Sequence, residues 1–137
     1  MAGFSDYLEQ ALLNATLRAT AYTSPAKVYI SLHTEDPTDD GSKGEVSGNG
    51  YARQEVAFDA PIVHGTGYKC LNSADVTFGD PTGPWAAGQP ITHLALWDAA
   101  TEGHCLYTLP DTNDPHKSYG INDVCVIRAG SISVKLD

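Results

Sequence analysis

The sequence predicts a mainly β protein: an antiparallel β-sandwich or barrel of about 7–8 strands with one N-terminal amphipathic α-helix. Three observations carry this. Helical periodicity is confined to the first 22 residues; from residue 27 onward apolar residues recur at period two in short runs; and these runs are spaced at roughly ten-residue intervals, with Gly, Pro, Asp and Asn between them. A length of 137 residues predicts a single domain, with the helix in 1–22 and the sandwich in 27–137.

The helix starts at Phe4-Ser5-Asp6, where Ser5 can cap the first turn and Asp6 and Glu9 complement its dipole. Leu8, Ala11, Leu12 and Ala15 form an apolar stripe, which Leu13 and Leu17 are expected to widen. Ala19-Thr20-Ala21 extends it by a turn, and Ser24-Pro25 closes it. One amphipathic helix must bury its stripe against the domain or another chain.

The strands follow in order. Residues 27–33 alternate, with Val28, Ile30 and Leu32 on one face and Tyr29, Ser31 and His33 on the other. A polar loop fills 34–50. Residues 53–58 read as a strand with Gln54, Val56 and Phe58 together; 68–71 and 74–78 are further short strands. Residues 79–90 hold three prolines and three glycines and form a loop. Residues 91–97 and 104–109 make a hairpin, and 123–128 and 131–136 turn about Ala129-Gly130.

Composition narrows function. Hydrophobic residues make up 42% and charged residues 18%, a globular balance. A net charge of −9 argues against nucleic-acid partners and anionic membranes. No apolar run is long enough to span a bilayer and no secretory signal opens the chain, so synthesis in the cytoplasm is expected. Cys70, Cys105 and Cys125 are odd in number, are not close in sequence and read as small apolar fillers.

No motif for chemistry emerges. Asp36, Asp39 and Asp40 could offer oxygens to a hard cation, with Glu45 farther on. However, the EF-hand register fails, because Ser47 stands where the closing glutamate belongs, and turn-making explains these residues. His33, His64, His93, His104 and His116 show no zinc spacing, and His104-Cys105 would point to opposite faces of a strand. No nucleophile elbow is present, and neither 41–44 nor 65–69 opens a helix as a phosphate loop does. No catalytic residue, metal ligand or cofactor is assigned, and the chain is expected not to be an enzyme. Trp97 reads as core. Leu8, Leu12, Tyr51, Trp85 and Tyr119 are the candidate interface residues, since exposed loop aromatics anchor partners and an apolar helix stripe seeks one.

Several ordered segments carry a resemblance: Leu12-Leu13-Asn14-Ala15-Thr16-Leu17-Arg18 with Thr20-Ala21-Tyr22-Thr23-Ser24-Pro25, then Tyr29-Ile30-Ser31-Leu32-His33-Thr34-Glu35-Asp36-Pro37. Gly44-Glu45-Val46-Ser47-Gly48-Asn49-Gly50-Tyr51, Asn72-Ser73-Ala74-Asp75-Val76 and Thr92-His93-Leu94-Ala95-Leu96-Trp97-Asp98 continue it. Together they resemble a family of small tailed-bacteriophage virion proteins usually labelled phage tail fibre protein. The pattern departs at 110–122, where the loop is longer and more polar, and at Cys125 and Arg128. The resemblance implies a non-enzymatic structural protein of the virion. A chain without repeats supplies no fibrous shaft, which favours a capsid decoration (cement) protein. The alternative is a tail fibre or baseplate subunit binding a host receptor or glycan. The expected partners are further copies of itself, preferably as a trimer, and other virion proteins such as the major capsid or tail proteins.

Overall fold

The structure, a computed structural model, describes residues 3–136. Its elements in chain order are β1 (Gly3–Phe4), α1 (Asp6–Leu17), β2 (Val28–His33), β3 (Gln54–Val56), β4 (Ile62–His64), β5 (Gly67–Leu71), β6 (Val76–Thr77), β7 (His93–Trp97), β8 (Cys105–Pro110), β9 (Val126–Ile127) and β10 (Ser133–Leu136). Every strand pairing is antiparallel. One sheet has the order β1-β8-β7-β2-β3, a second β10-β5-β4, and β6 and β9 form a two-stranded ribbon. The mainly β architecture with one helix near the N-terminus is as the periodicity predicts.

Alternation sets the core. Ile30 and Leu32 of β2, Leu94 and Leu96 of β7, and Leu106, Tyr107 and Leu109 of β8 face inward from the five-stranded sheet. They meet Val76, Phe78, Cys125 and Ile132, with Phe58 and Val134 half-buried beside them. A bulge between Leu96 and Trp97 places Trp97 opposite Cys105, so that Leu106 is the extra residue and turns inward beside Tyr107.

The loop aromatics close the opposite end. Trp85 is 0% exposed; its ring lies 5.6 Å from Tyr51, 6.3 Å from Phe78 and 5.8 Å from Tyr119, and its indole N–H donates to the Asn49 carbonyl at 3.0 Å. The 79–90 segment is a loop with one short helical turn, Trp85–Gly88, and serves to carry this ring into the core. Trp85 and Tyr119 are therefore corrected from candidate surface anchors to core residues: burying an indole that also satisfies its N–H gains more than exposing it.

Helix α1 starts as expected, with the Ser5 hydroxyl oxygen accepting from Leu8 N–H at 3.1 Å while its own proton goes to the Cys105 carbonyl, tying the helix to β8. The extension past Arg18 does not form. Arg18 and Thr20 both return their N–H to the Asn14 carbonyl, with Ala19 at φ 54°, which ends the helix at Leu17. Leu13 and Leu17 do not widen the inward stripe. At 100° per residue they fall opposite Leu8, Leu12 and Ala15, and both are exposed.

Two strands escape the periodicity. β1 has only two residues, and β4 reads Ile-Val-His without alternation because its side chains are all exposed. Gly65-Thr66 forms the two-residue turn between β4 and β5, with Gly65 at φ 60°. The expected strands at 74–78 and 123–128 shrink to β6 and β9.

Trp85→Ala is expected to lower stability by about 3–5 kcal/mol in urea unfolding, against a far smaller loss for the exposed Tyr68→Ala.

Candidate functional site

The polar face of β2 carries the molecule's concentrated side-chain chemistry. Tyr29, Ser31 and His33 share this face with His93, Ala95 and Trp97 of β7, by direct register. Instead of facing water, Ser31, His33 and Trp97 are buried, because the loop after β2 folds back over them. Thr34 N–H donates to the Gly44 carbonyl, Val46 N–H to the Leu32 carbonyl, and His33 bridges to Glu45. Gly41 sits against the Trp97 ring at φ +71°, where a Cβ would lie 2.6 Å from a ring carbon.

Under this cover runs a hydrogen-bonded chain. The Trp97 indole N–H donates to Ser31 Oγ at 2.7 Å, Ser31 Oγ lies 2.7 Å from His33 Nε2, and His33 Nδ1 lies 2.6 Å from the Lys43 carbonyl. A carbonyl only accepts, so Nδ1 carries the imidazole proton and Nε2 accepts from the Ser31 hydroxyl. Burial pulls the His33 pKa below its ordinary value. The Lys43 carbonyl and Glu45 oppose this, while Arg53 and His93 add to it. The serine–histidine pair has the local arrangement of an activated nucleophile, but Ser31 is fully buried, with its oxygen held between Trp97 and His33. Its chemistry is that of a clasp fastening the loop to the sheet.

Arg53 completes the cover. Its Nε and Nη2 donate to the two Glu45 oxygens, both at 2.8 Å; Nη1 donates to the carbonyls of Ala99 and Glu102; and the guanidinium lies 3.7 Å from the Trp97 ring centroid. Burial works to raise the Glu45 carboxyl, but the Arg53 hydrogen bonds and charge outweigh it and hold the group below its usual range. The Tyr51 hydroxyl donates to Glu45 at 3.2 Å and accepts from Leu32 N–H at 3.1 Å; burial, then Glu45, raises its pKa. Above this group opens a cleft of ≈ 380 Å³, rimmed by Ser47, Thr101 and Glu102. With the guanidinium donors committed to Glu45 and two carbonyls, the cleft presents no spare cation to an anionic ligand.

A family model described as Podophage GP4 fiber I protein gp80 matches residues 3–135. The chain belongs to that family. It is accordingly a structural protein of a phage virion. Comparison with curated proteins found no match.

The remaining candidates of this phage protein fall as follows. Asp36 accepts from Thr38 N–H, and Asp40 accepts from Ser42 N–H and the Thr38 hydroxyl, so both make turns. Glu45, the possible outlying ligand, is bound to Arg53. Among the described residues no group of three or more His, Cys, Asp or Glu is placed to hold a metal ion, and no helix is long and apolar enough to cross a membrane. All three cysteines are free thiols. Burial pushes Cys105 up to about 12 and Cys125 up to about 11, which withholds their thiolates. His104 pairs with Asp98 and stacks on Tyr7, while adjacent Cys105 is buried, as opposite strand faces require. Of the interface candidates, Leu8 and Leu12 are half-buried on the inner side of α1, and Tyr51 is half-buried with its hydroxyl committed. The large apolar residues that do reach solvent are Tyr7, Leu13 and Leu17 on the helix, Ile62, Val63 and Tyr68 on the β4–β5 hairpin, Ile121 and Val124 before β9, and Leu136 on β10, none of them among the five interface candidates. Only the unbroken Ile62-Val63 pair hinted at them.

Two outcomes follow from this clasp. Arg53→Lys is expected to lower stability by roughly 2–3 kcal/mol in urea unfolding, because one ammonium cannot replace a bidentate pair, two carbonyl bonds and ring stacking. For His33 the folded-state pKa lies below the unfolded value, so the unfolded chain binds the proton first. Stability is full above the ordinary histidine value of 6.5 and falls as pH drops towards the folded pKa, by at most about 1.4 kcal/mol per pH unit per histidine. His93, shifted in the same direction mainly by burial, adds to the slope. Urea titrations between pH 7.5 and 5.5 should show this loss, and His33→Gln should flatten it.

Proposed function

We propose that the protein is a non-enzymatic subunit of the fibre apparatus of a podophage tail, and not a cement protein of the capsid shell. The observation that carries this reading is the match of a fibre-protein family over residues 3–135, nearly the whole chain. The compact sandwich without repeats suits a connecting or terminal piece of a fibre, not its shaft. Its neighbours on this reading are tail proteins and further copies of itself. Support for a non-enzymatic role comes from chemistry: the serine–histidine pair is sealed beneath a loop, and burial keeps Cys105 and Cys125 protonated.

Cryo-electron microscopy of virions carrying a labelled copy tests the location. Label confined to the tail fibres is expected; label spread over the icosahedral shell would overturn the fibre reading and restore the cement one.

A further inference from the structure

The fastening of Arg53 leaves polar groups unspent, and they meet in the cleft of ≈ 380 Å³ between the 45–53 segment and the hairpin turn. Glu45 Oε1 accepts from both Arg53 Nε and the Tyr51 hydroxyl, whereas Oε2 accepts only from Arg53 Nη2. A carboxylate oxygen has room for a second donor, and the Glu45 side chain is 26% exposed. A guanidinium carries five N–H groups, and four of those on Arg53 go to Glu45, Ala99 and Glu102. The fifth, on Nη2, has no acceptor among the described residues, although the side chain is only 8% exposed and lines the cleft. A donor already withdrawn from water gains from an acceptor that a ligand brings.

The rim supplies further partners. The Ser47 and Thr101 hydroxyls and the Glu102 carboxylate line the same cleft, lie at exposed residues, and bond to nothing among the described residues. Ala52, Ala100 and Tyr51 add apolar surface between these polar groups. Because Arg53 ties the hairpin turn to the 45–53 segment, both walls are set before a ligand arrives, so binding has little ordering to do.

Charge selects the ligand. No lysine or histidine lines the cleft. An anion entering it meets Glu45 and Glu102, with the one cation already paired. A cation meets the guanidinium and its unspent N–H. A neutral molecule dense in hydroxyls suits both: its protons go to Glu45 and Glu102, and one of its oxygens accepts from Arg53 Nη2. The volume lies near the lower end of the range of about 300–1,000 Å³ for small-molecule sites, which suits a single ring. We propose that this cleft binds a neutral sugar residue, held between the Glu45 and Glu102 carboxylates, the free N–H of Arg53 and the hydroxyls of Ser47 and Thr101. The inference uses only the cleft and holds wherever the chain sits in the virion.

Backbone amide shifts of the purified, ¹⁵N-labelled full chain test this. The probes are glucose, galactose, mannose and N-acetylglucosamine, titrated up to roughly 100 mM. At least one is expected to give saturable shifts confined to residues 45–53 and 99–103. Glu102→Gln, and separately Ser47→Ala/Thr101→Ala, should each weaken that sugar by roughly fivefold or more. All three positions are exposed and their side chains lie outside the clasp, and the unshifted remainder of the spectrum shows that a variant is folded. Should one variant fail to fold, the other carries the test. Glucuronate and 6-amino-6-deoxyglucose should both bind more weakly than the best neutral sugar. The proposal is overturned if no neutral sugar gives saturable shifts, or if the shifts lie outside the cleft. It is equally overturned if the folded variants bind like the native chain, or if a charged sugar is the tightest ligand. The assay uses no virions, so its outcome is separate from the fibre location.

Discussion

The burial of a polar sheet face is the constraint around which this molecule is arranged. β2 and β7 are sealed on both sides, although their outer face carries Ser31, His33 and Trp97, with His93 half-buried. Buried polar groups are tolerated only when bonded. The chain meets this by folding the 34–45 loop down so that the Lys43 carbonyl reaches His33, and by laying Arg53 over Trp97 with Glu45 as its counter-charge. The acidic loop, β3 and the hairpin turn at 98–104 are thereby coupled to the central strands. Two hydrogen-bonded groups, Trp97–Ser31–His33–Lys43 and Tyr51–Glu45–Arg53, fix their positions and meet where Arg53 lies over the Trp97 ring, and the cleft beside Glu45 is formed by that fastening.

The inner side of the same sheet meets a second constraint, that of filling the sandwich. Strands from only one side cannot do so, and β6, β9 and β10 are short. The remaining volume is taken by Trp85 and Tyr119 from loops and by Phe78, forming an aromatic plug at one end. At the other end the described residues form no such plug. There the three-stranded sheet projects past its partner and leaves apolar side chains uncovered, next to Phe4 and Leu8. A protein whose core is closed at one end and open at the other is suited to assembly, which agrees with membership of a virion fibre family.

Much of the fold was legible in the sequence. The Ser5 cap, the alternation in 27–33, and the hairpin of 91–97 with 104–109 are local patterns, and local patterns survive folding. β4 was not legible, because an exposed edge strand has no buried face to impose alternation. Leu13 and Leu17 misled for a different reason: their residue type was given more weight than their helical phase, which at 100° per residue already sets them opposite Leu8, Leu12 and Ala15. For the candidate site the loss is greater. Trp85 in a Pro-Gly loop looks like a surface anchor until Asn49, 36 residues away, accepts its N–H.

The sequence by itself determined the class of architecture, the place of the helix, the absence of recognisable catalytic or metal spacing, and the family likeness, because each depends on residue type and short-range period. Tertiary structure alone decided which polar side chains are sealed and which apolar ones are bare. Burial belongs to pairs of distant segments: Arg53 with Glu45 and Trp97, and Trp85 with Asn49. The register and layer offset that create those pairs leave no mark on the spacing along the chain.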